Sequence, residues 1–201
     1  NINTSISNVA LPSIGSALNA TDTQLTGITD AYQLGIAATV LYLGAVGDRY
    51  GRKRMLLLGA FLCVPFSLMS AWSPTAVFLI GAQIAVGVSG GMLYPTTLSM
   101  ITALWRGKKL TAAIALWTGI GTGASVLGPI LGGWLLGNYW WGSVFLITVP
   151  LAVVVLVLGF VVLPKSAAEH NEPVDHQGGT LSVIMISSLV LGIVLLPQGI
   201  T

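Results

Sequence analysis

Of the 201 residues, 54% are hydrophobic and 7% are charged, against about 25% charged in an ordinary soluble domain, so most of this chain has lipid as its solvent. A net charge of +2 without a basic-aromatic surface excludes nucleic acid as a partner. The single cysteine, Cys63, excludes a disulfide framework and a thiolate metal site.

Seven apolar segments are long enough to span, or nearly span, a bilayer: 1–19, 26–46, 54–72, 76–102, 110–136, 142–163 and 179–198. The expected fold is all-α, a polytopic membrane helical bundle. The first segment carries Asn1, Asn3, Ser5, Ser7 and Asn8. It reads as the outer portion of a helix whose start is missing, facing protein or a cavity and not lipid. The chain begins at Asn, shows no cleavable signal pattern and ends at an apolar run, which reads as a piece of a longer protein.

In the second segment Asp30 is the one charged residue placed within a span. A carboxylate at mid-membrane costs about 2.5–3.5 kcal/mol on insertion scales. Two roles stay open for it: a protonatable or cation-facing site, and a carboxylate at the outer edge. In the fourth segment Gly87-Val88-Ser89-Gly90-Gly91 matches G-x-S-x-G. A hydrolase elbow needs a strand–turn–helix, and both histidines, His170 and His176, fall in a loop, so close helix packing is the better reading. Tyr94-Pro95 predicts a kink in the inner half of this span.

The fifth segment holds Gly119, Gly123, Gly128 and Gly132 at spacings that make small-residue ridges, with Pro129 and Gly133 beside them. Its G-x-G-x-x-A run has no strand and no acidic ribose ligand, so it is no dinucleotide loop and no cofactor is expected. Trp140 and Trp141 open the sixth segment, where an aromatic belt belongs.

The connections test this order. Those after spans 1, 3 and 5 hold no Lys or Arg, while those after spans 2, 4 and 6 hold all eight: Arg49, Arg52, Lys53, Arg54, Arg106, Lys108, Lys109 and Lys165. The alternation puts the N-terminus and the 164–178 connection, with its acidic residues Glu169, Glu172 and Asp175, on the cytoplasmic side of a cell membrane.

Half of these cations lie in Gly44-Ala45-Val46-Gly47-Asp48-Arg49-Tyr50-Gly51-Arg52-Lys53-Arg54. Gly44 and Gly47 let another helix approach. Asp48 precedes the next apolar run, where it can cap backbone N–H groups, and Gly51 permits a tight turn. This stretch resembles the loop between spans 2 and 3 of the major facilitator superfamily. The resemblance implies a conformational latch formed by Gly44, Asp48, Arg49, Gly51, Arg52 and Lys53.

Asn8-Val9-Ala10-Leu11-Pro12-Ser13-Ile14, the Ile28–Tyr32 stretch and Trp141–Pro150 resemble the fourteen-span drug:proton antiporters, of the quaternary-ammonium and multidrug exporter type. The Gly128-Pro129-Ile130-Leu131-Gly132-Gly133 run resembles the antiporter motif of exporters, and Pro173–Gly179 the approach to an inserted helix pair. The resemblance implies three regions. Residues 1–163 are an N-terminal six-helix half with its first span truncated. Residues 164–178 are a short connection, and 179–201 a first inserted helix, with the C-terminal half absent. It further implies secondary active export of amphipathic, cationic drugs by alternating access, with protons and the bilayer as partners. The cavity candidates are Asp30, Asn3, Gln83, Tyr32, Tyr94 and Trp117.

Two positions depart from the family pattern. Asn3 stands where the family has an Asp, and Gln83 where span 4 has an Arg. Both are neutral amides, so losing both charges together leaves no orphan ion, and proton coupling through that pair is put in doubt. Three rivals remain: an uncoupled or lipid-type facilitator, a non-transporting sensor or assembly protein, and a membrane-embedded enzyme. The last lacks a nucleophile–base pair within the spans.

Overall fold

The computed structural model describes residues 2–163 and 175–195. Lys165, Glu169, His170 and Glu172 of the connection lie outside the described residues. Among the described residues, eight helical elements follow in order: α1 (Ile2–Leu18), α2 (Asp22–Tyr50), α3 (Arg52–Ala71), α4 (Ala76–Leu104), α5 (Lys108–Asn138), α6 (Ser143–Leu146), α7 (Thr148–Val162) and α8 (His176–Leu195). The all-α expectation holds across them.

Several helices outrun the apolar runs that announced them. α2 starts four residues before the expected span because Thr21 and Gln24 form a reciprocal capping box: the Thr21 hydroxyl accepts from the Gln24 N–H at 3.3 Å, and the Gln24 side chain accepts from the Thr21 N–H at 3.0 Å. At its other end α2 runs through Gly44–Tyr50, the stretch expected to be a loop. Only Gly51, at φ 110°, separates it from α3, a conformation that glycine alone reaches without strain.

By length and apolarity alone, α3, α4, α5 and the joined α6–α7 segment Ser143–Val162 can cross a membrane. Two of the other expected spans, α1 and α2, fall short by that measure. α1 has 17 residues and carries polar positions along its length. α2 has the length, at 29 residues, but its first three turns hold Asp22, Thr23, Gln24, Thr26, Thr29 and Asp30. The sixth expected span is two helices, broken at Ile147. Pro150 accounts for the break. It has no N–H to donate to the Leu146 carbonyl four residues back, and its fixed φ suits the first turn of a new helix, α7.

The centre of the bundle is the crossing of α2 and α4. A Cβ built on Gly35 would collide with the Ile84 carbonyl oxygen and sit 3.0 Å from the Gly87 Cα. One on Gly87 would collide with the Tyr32 carbonyl oxygen, and one on Gly91 with Thr39. The G-x-S-x-G run is therefore a packing face, with Gly87 and Gly91 one turn apart against Gly35 and Thr39. α3 packs against α4 and α7, α1 lies along α5, and α8 lies along α2.

The two ends of the bundle differ in chemistry. At one end Ile6, Ile14, Ile28, Leu79 and Phe145 form a buried apolar cluster. It is rimmed by aromatic pairs, Trp72–Trp140 at 6.0 Å and Trp134–Tyr139 at 5.8 Å between ring centroids. The other end gathers the basic residues. Substituting Gly35 by Ala forces the α2 and α4 backbones apart and is expected to destabilise the protein by about 1–3 kcal/mol. Gly81→Ala on α4, where an added Cβ meets nothing within 4 Å, is the matched control. Thermal unfolding of the two variants in detergent should separate them, and equal melting points would refute the crossing.

Candidate functional site

The two amides singled out from the sequence meet in space. Asn3 on α1 and Gln83 on α4 are 5% and 1% exposed, and the Asn3 Nδ2 donates to the Gln83 Oε1 at 3.4 Å. The Ser7 hydroxyl, one turn along α1, donates to the Asn3 Oδ1 at 3.2 Å. Gln83 Nε2 has no partner among the described residues. The cluster is a polar tie between α1 and α4 that holds no charge, so no desolvated ion has to be compensated there.

Beside this tie, α1, α2, α4 and α5 enclose a recess of about 460 Å³ lined by Thr4, Ser5, Tyr32, Gln33, Tyr94 and Ser125, among others. A second recess of about 420 Å³ opens between α4 and α5, where Tyr94 is joined by Leu93, Thr97, Trp117 and Ile120. The rings of Tyr94 and Trp117 meet edge to face, 6.0 Å between centroids and 83° between planes. Both volumes fall in the range of small-molecule sites, and the mixture of aromatic surface with a few hydroxyls and amides is the usual lining of such sites.

Three sequence candidates, Tyr32, Tyr94 and Trp117, line these recesses. Asp30 does not. It is half-buried and lies one turn from Gln33 on the same face of α2. Ser5 was noted only as one of the polar residues of the first segment, and Thr4, Gln33 and Ser125 went unnoticed in the sequence. Their only signal is polarity on otherwise apolar helices, and their convergence is a property of the fold.

The basic end contains a second constellation. The Asp48 carboxylate accepts from Arg52 Nε at 3.0 Å and from the Ser99 hydroxyl at 3.1 Å, while Arg52 also donates to the Ser99 carbonyl at 3.1 Å. Asp48 therefore does not cap the N–H groups of α3, as expected from the sequence. It lies in the last turn of α2, where its carboxylate faces α4 and the first residue of α3. Lys53 donates to the carbonyls of Phe160 and Leu163 at the end of α7, placing a cation on the negative pole of that helix. Gly44 lies against Pro95 of α4, and Gly47 against Met55 and Thr96. α2, α3, α4 and α7 are thus joined at one end through residues of a single short stretch and Ser99.

The glycines of α5 divide into two sets. Gly128 and Gly132 are buried against Ser5, Ile6 and Val9 of α1. A Cβ added at Gly119, Gly123 or Gly133 would meet nothing within 4 Å among the described residues. Of the expected ridges, the one made by Gly128 and Gly132 meets α1, and the helix turns Gly119, Gly123 and Gly133 away from it. Pro129 is exposed and α5 runs through it.

A bundle of apolar helices with an aromatic-lined recess between them and a basic knot at one end is the arrangement that the resemblance implied. The family model for the Major Facilitator Superfamily matches residues 1–199, and the chain belongs to that superfamily, a family of transporters and not of enzymes. It is 37% identical to the methyl viologen resistance protein SmvA of Salmonella typhimurium over 190 residues, 94% of this chain and 38% of SmvA. It is 38% identical to the multidrug efflux pump LfrA of Mycolicibacterium smegmatis over 186 residues, 92% of this chain and 36% of LfrA. It is 32% identical to the fatty acid resistance protein FarB of Neisseria gonorrhoeae over 189 residues, 94% of this chain and 37% of FarB. The chain spans well under half the length of these curated relatives.

Replacing Gln83 by Leu leaves the buried Asn3 amide without its partner and is expected to destabilise the protein by about 1–3 kcal/mol. The double replacement Asn3→Leu with Gln83→Leu should recover much of that loss, because both polar groups leave together. Chemical or thermal unfolding of the three variants provides the cycle, and strictly additive losses would show that the two amides do not interact.

Proposed function

We propose that the whole protein is a secondary active exporter of amphipathic, cationic drugs or related compounds, working by alternating access in a cell membrane. The reading is carried by one observation: the recess between α1, α2, α4 and α5, lined by Tyr32, Tyr94, Gln33 and hydroxyls, in a chain similar to a methyl viologen resistance protein and a multidrug efflux pump. In this reading the described helices are the N-terminal half of a fourteen-span transporter, and α8 is its first inserted helix. The C-terminal half closes the recess from the other side.

The basic end faces the cytoplasm, as the positive-inside rule requires, and the aromatic rim lies at the outer interface. Gly44, Asp48, Arg49, Gly51, Arg52 and Lys53 act as the latch that sets the balance between inward- and outward-facing states. Gly119, Gly123, Gly128, Pro129, Gly132 and Gly133 form the exporter's α5 motif. Cationic substrates are held over the faces of Tyr32, Tyr94 and Trp117, near the Asn3–Gln83 tie, and Asp30 supplies the carboxylate that exchanges a proton.

A second reading, an uncoupled or lipid-type facilitator, is favoured by the neutrality of the Asn3–Gln83 pair. A fatty acid resistance protein also stands among the relatives. Full-length protein in proteoliposomes distinguishes the two. Uptake of a fluorescent cationic dye into inside-out vesicles is expected to require an imposed proton gradient, and Asp30→Asn to abolish that requirement. Equal uptake with and without the gradient would replace exchange by uncoupled transport. No uptake of dye in any condition would remove the cationic-drug reading.

A further inference from the structure

The start of α8 is built around one side chain of α2. α8 packs against α2, and Tyr42 is the residue it receives. Tyr42 lies about two turns before the basic end of α2 at Tyr50. The Tyr42 hydroxyl and the His176 Nδ1 are 2.9 Å apart. Their rings meet edge to face, 6.1 Å between centroids and 77° between planes.

Gly179, on the same turn of α8, lies against the Tyr42 ring. A Cβ added there would collide with Cδ2 and Cε2 of that ring. Asp175 sets the frame. Its carboxylate accepts from the Gly178 N–H at 2.8 Å and its carbonyl from the Gly179 N–H at 2.9 Å, which caps the first turn of α8. A Cβ on Gly178 would collide with that carboxylate. Asp175, His176, Gly178 and Gly179 are each fitted either to the cap or to Tyr42, and together they form a socket.

The bond in the socket depends on charge. A neutral imidazole with its proton on Nε2 offers Nδ1 as an acceptor, and the Tyr42 O–H donates to it. A protonated imidazole has no acceptor to offer. It can only donate to the phenol oxygen, so the O–H must turn away. Its charge then sits in the first turn of α8, where the helix dipole disfavours a cation. The Asp175 carboxylate beside it is a stronger acceptor than the phenol. Turning towards it draws the ring out of the socket and the carboxylate off the cap. On the α2 side, Tyr42 is the titratable group that meets His176. Asp48 and Arg49 come later in that helix, about 9–10 Å further along its axis, and Asp48 is held by Arg52 and Ser99.

We propose that the Tyr42 socket is a proton-sensitive fastening of α8 to α2, closed while His176 is neutral and opened when His176 takes up a proton. Acidification on the basic side of the bundle then frees the start of α8 from the arm of α2 that leads into Gly51. The inference goes beyond the exporter reading and does not need it, because the attachment is a contact between two helices and not an act of transport.

The test reads the position of α8 directly in the full-length protein in lipid nanodiscs. Spin labels are attached at Leu58→Cys on α3 and Leu181→Cys on α8, in a background with Cys63→Ala and free of other cysteines. Double electron–electron resonance gives the distances at about pH 8 and about pH 5, either side of the range in which histidines change charge. The distribution is expected to be narrow at the higher pH and about twofold broader at the lower. His176→Asn keeps a side-chain acceptor that takes up no proton, and should stay narrow at both. Gly179→Ala sets a methyl group against the Tyr42 ring. It should be broad at both, which shows that the labels detect an open socket.

A wild-type distribution that is the same at both pH values would overturn the proposal. So would a change with pH that persists undiminished in His176→Asn, since another group would then be responsible. A narrow distribution in Gly179→Ala would show that the socket does not hold α8. Absence of dye uptake in the proteoliposome assay removes the exporter reading and leaves these distances as they are, so the two failures are distinguishable.

Discussion

The whole bundle depends on the contact between Gly35 and Gly87. Lipid tails are as apolar as leucine, so helices in a membrane are not driven together by expulsion of water, and close van der Waals approach has to supply the attraction. Two glycines facing each other let the α2 and α4 backbones touch, and Gly91 extends the contact by a turn to Thr39. That approach fixes the depth of Tyr32 and Tyr94 relative to one another, and so the width of the recess they line. α1 and α5 then attach as a second pair through Gly128 and Gly132, leaving a gap between the two pairs where polar side chains collect.

Polarity in this chain is concentrated at three levels, each with its own physical reason. At the aromatic end, indole and phenol groups rim an apolar cluster. In the middle, the deeply buried polar contact between α1 and α4 is made by uncharged amides, which need no counter-ion in a low-dielectric interior. At the basic end the charges are partly solvated, with side-chain exposures of 14% for Arg52 and 45% for Asp48. There an ion pair adds little stability on its own. It fixes geometry between three helices by virtue of the extra bonds to Ser99.

The order and number of long helices were legible because an apolar run of membrane length is stable only inside a bilayer or wholly buried in protein. Their limits were not. Asp22–Gln24 and Gly47–Tyr50 read as loop because they are polar, but polarity reports solvent and not backbone conformation, and both are helical. The break at Ile147 was in principle readable from Pro150, yet an unbroken apolar run concealed it. Tyr32, Tyr94, Trp117 and the Asn3–Gln83 pair were singled out through the family resemblance, and the fold brings the two amides together and sets the three rings around the recesses. Thr4, Gln33 and Ser125 were missed because each is unremarkable on its own helix. Gly119, Gly123, Gly128 and Gly132 were expected to make small-residue ridges, and a sequence spacing alone cannot tell which side of a helix a neighbour occupies.

The one-residue junction at Gly51 has a mechanical consequence. Two long helices joined through a single residue share one pair of rotatable bonds, and here both neighbouring turns are already committed, with the Gly51 N–H on the Gly47 carbonyl and the Met55 N–H on the Gly51 carbonyl. The Asp48–Arg52 bond then spans the junction from one helix to the other. α2 and α3 are therefore a braced elbow and not a pair of hinged rods. Through Lys53, the second residue of α3, the same chain of bonds continues to the end of α7.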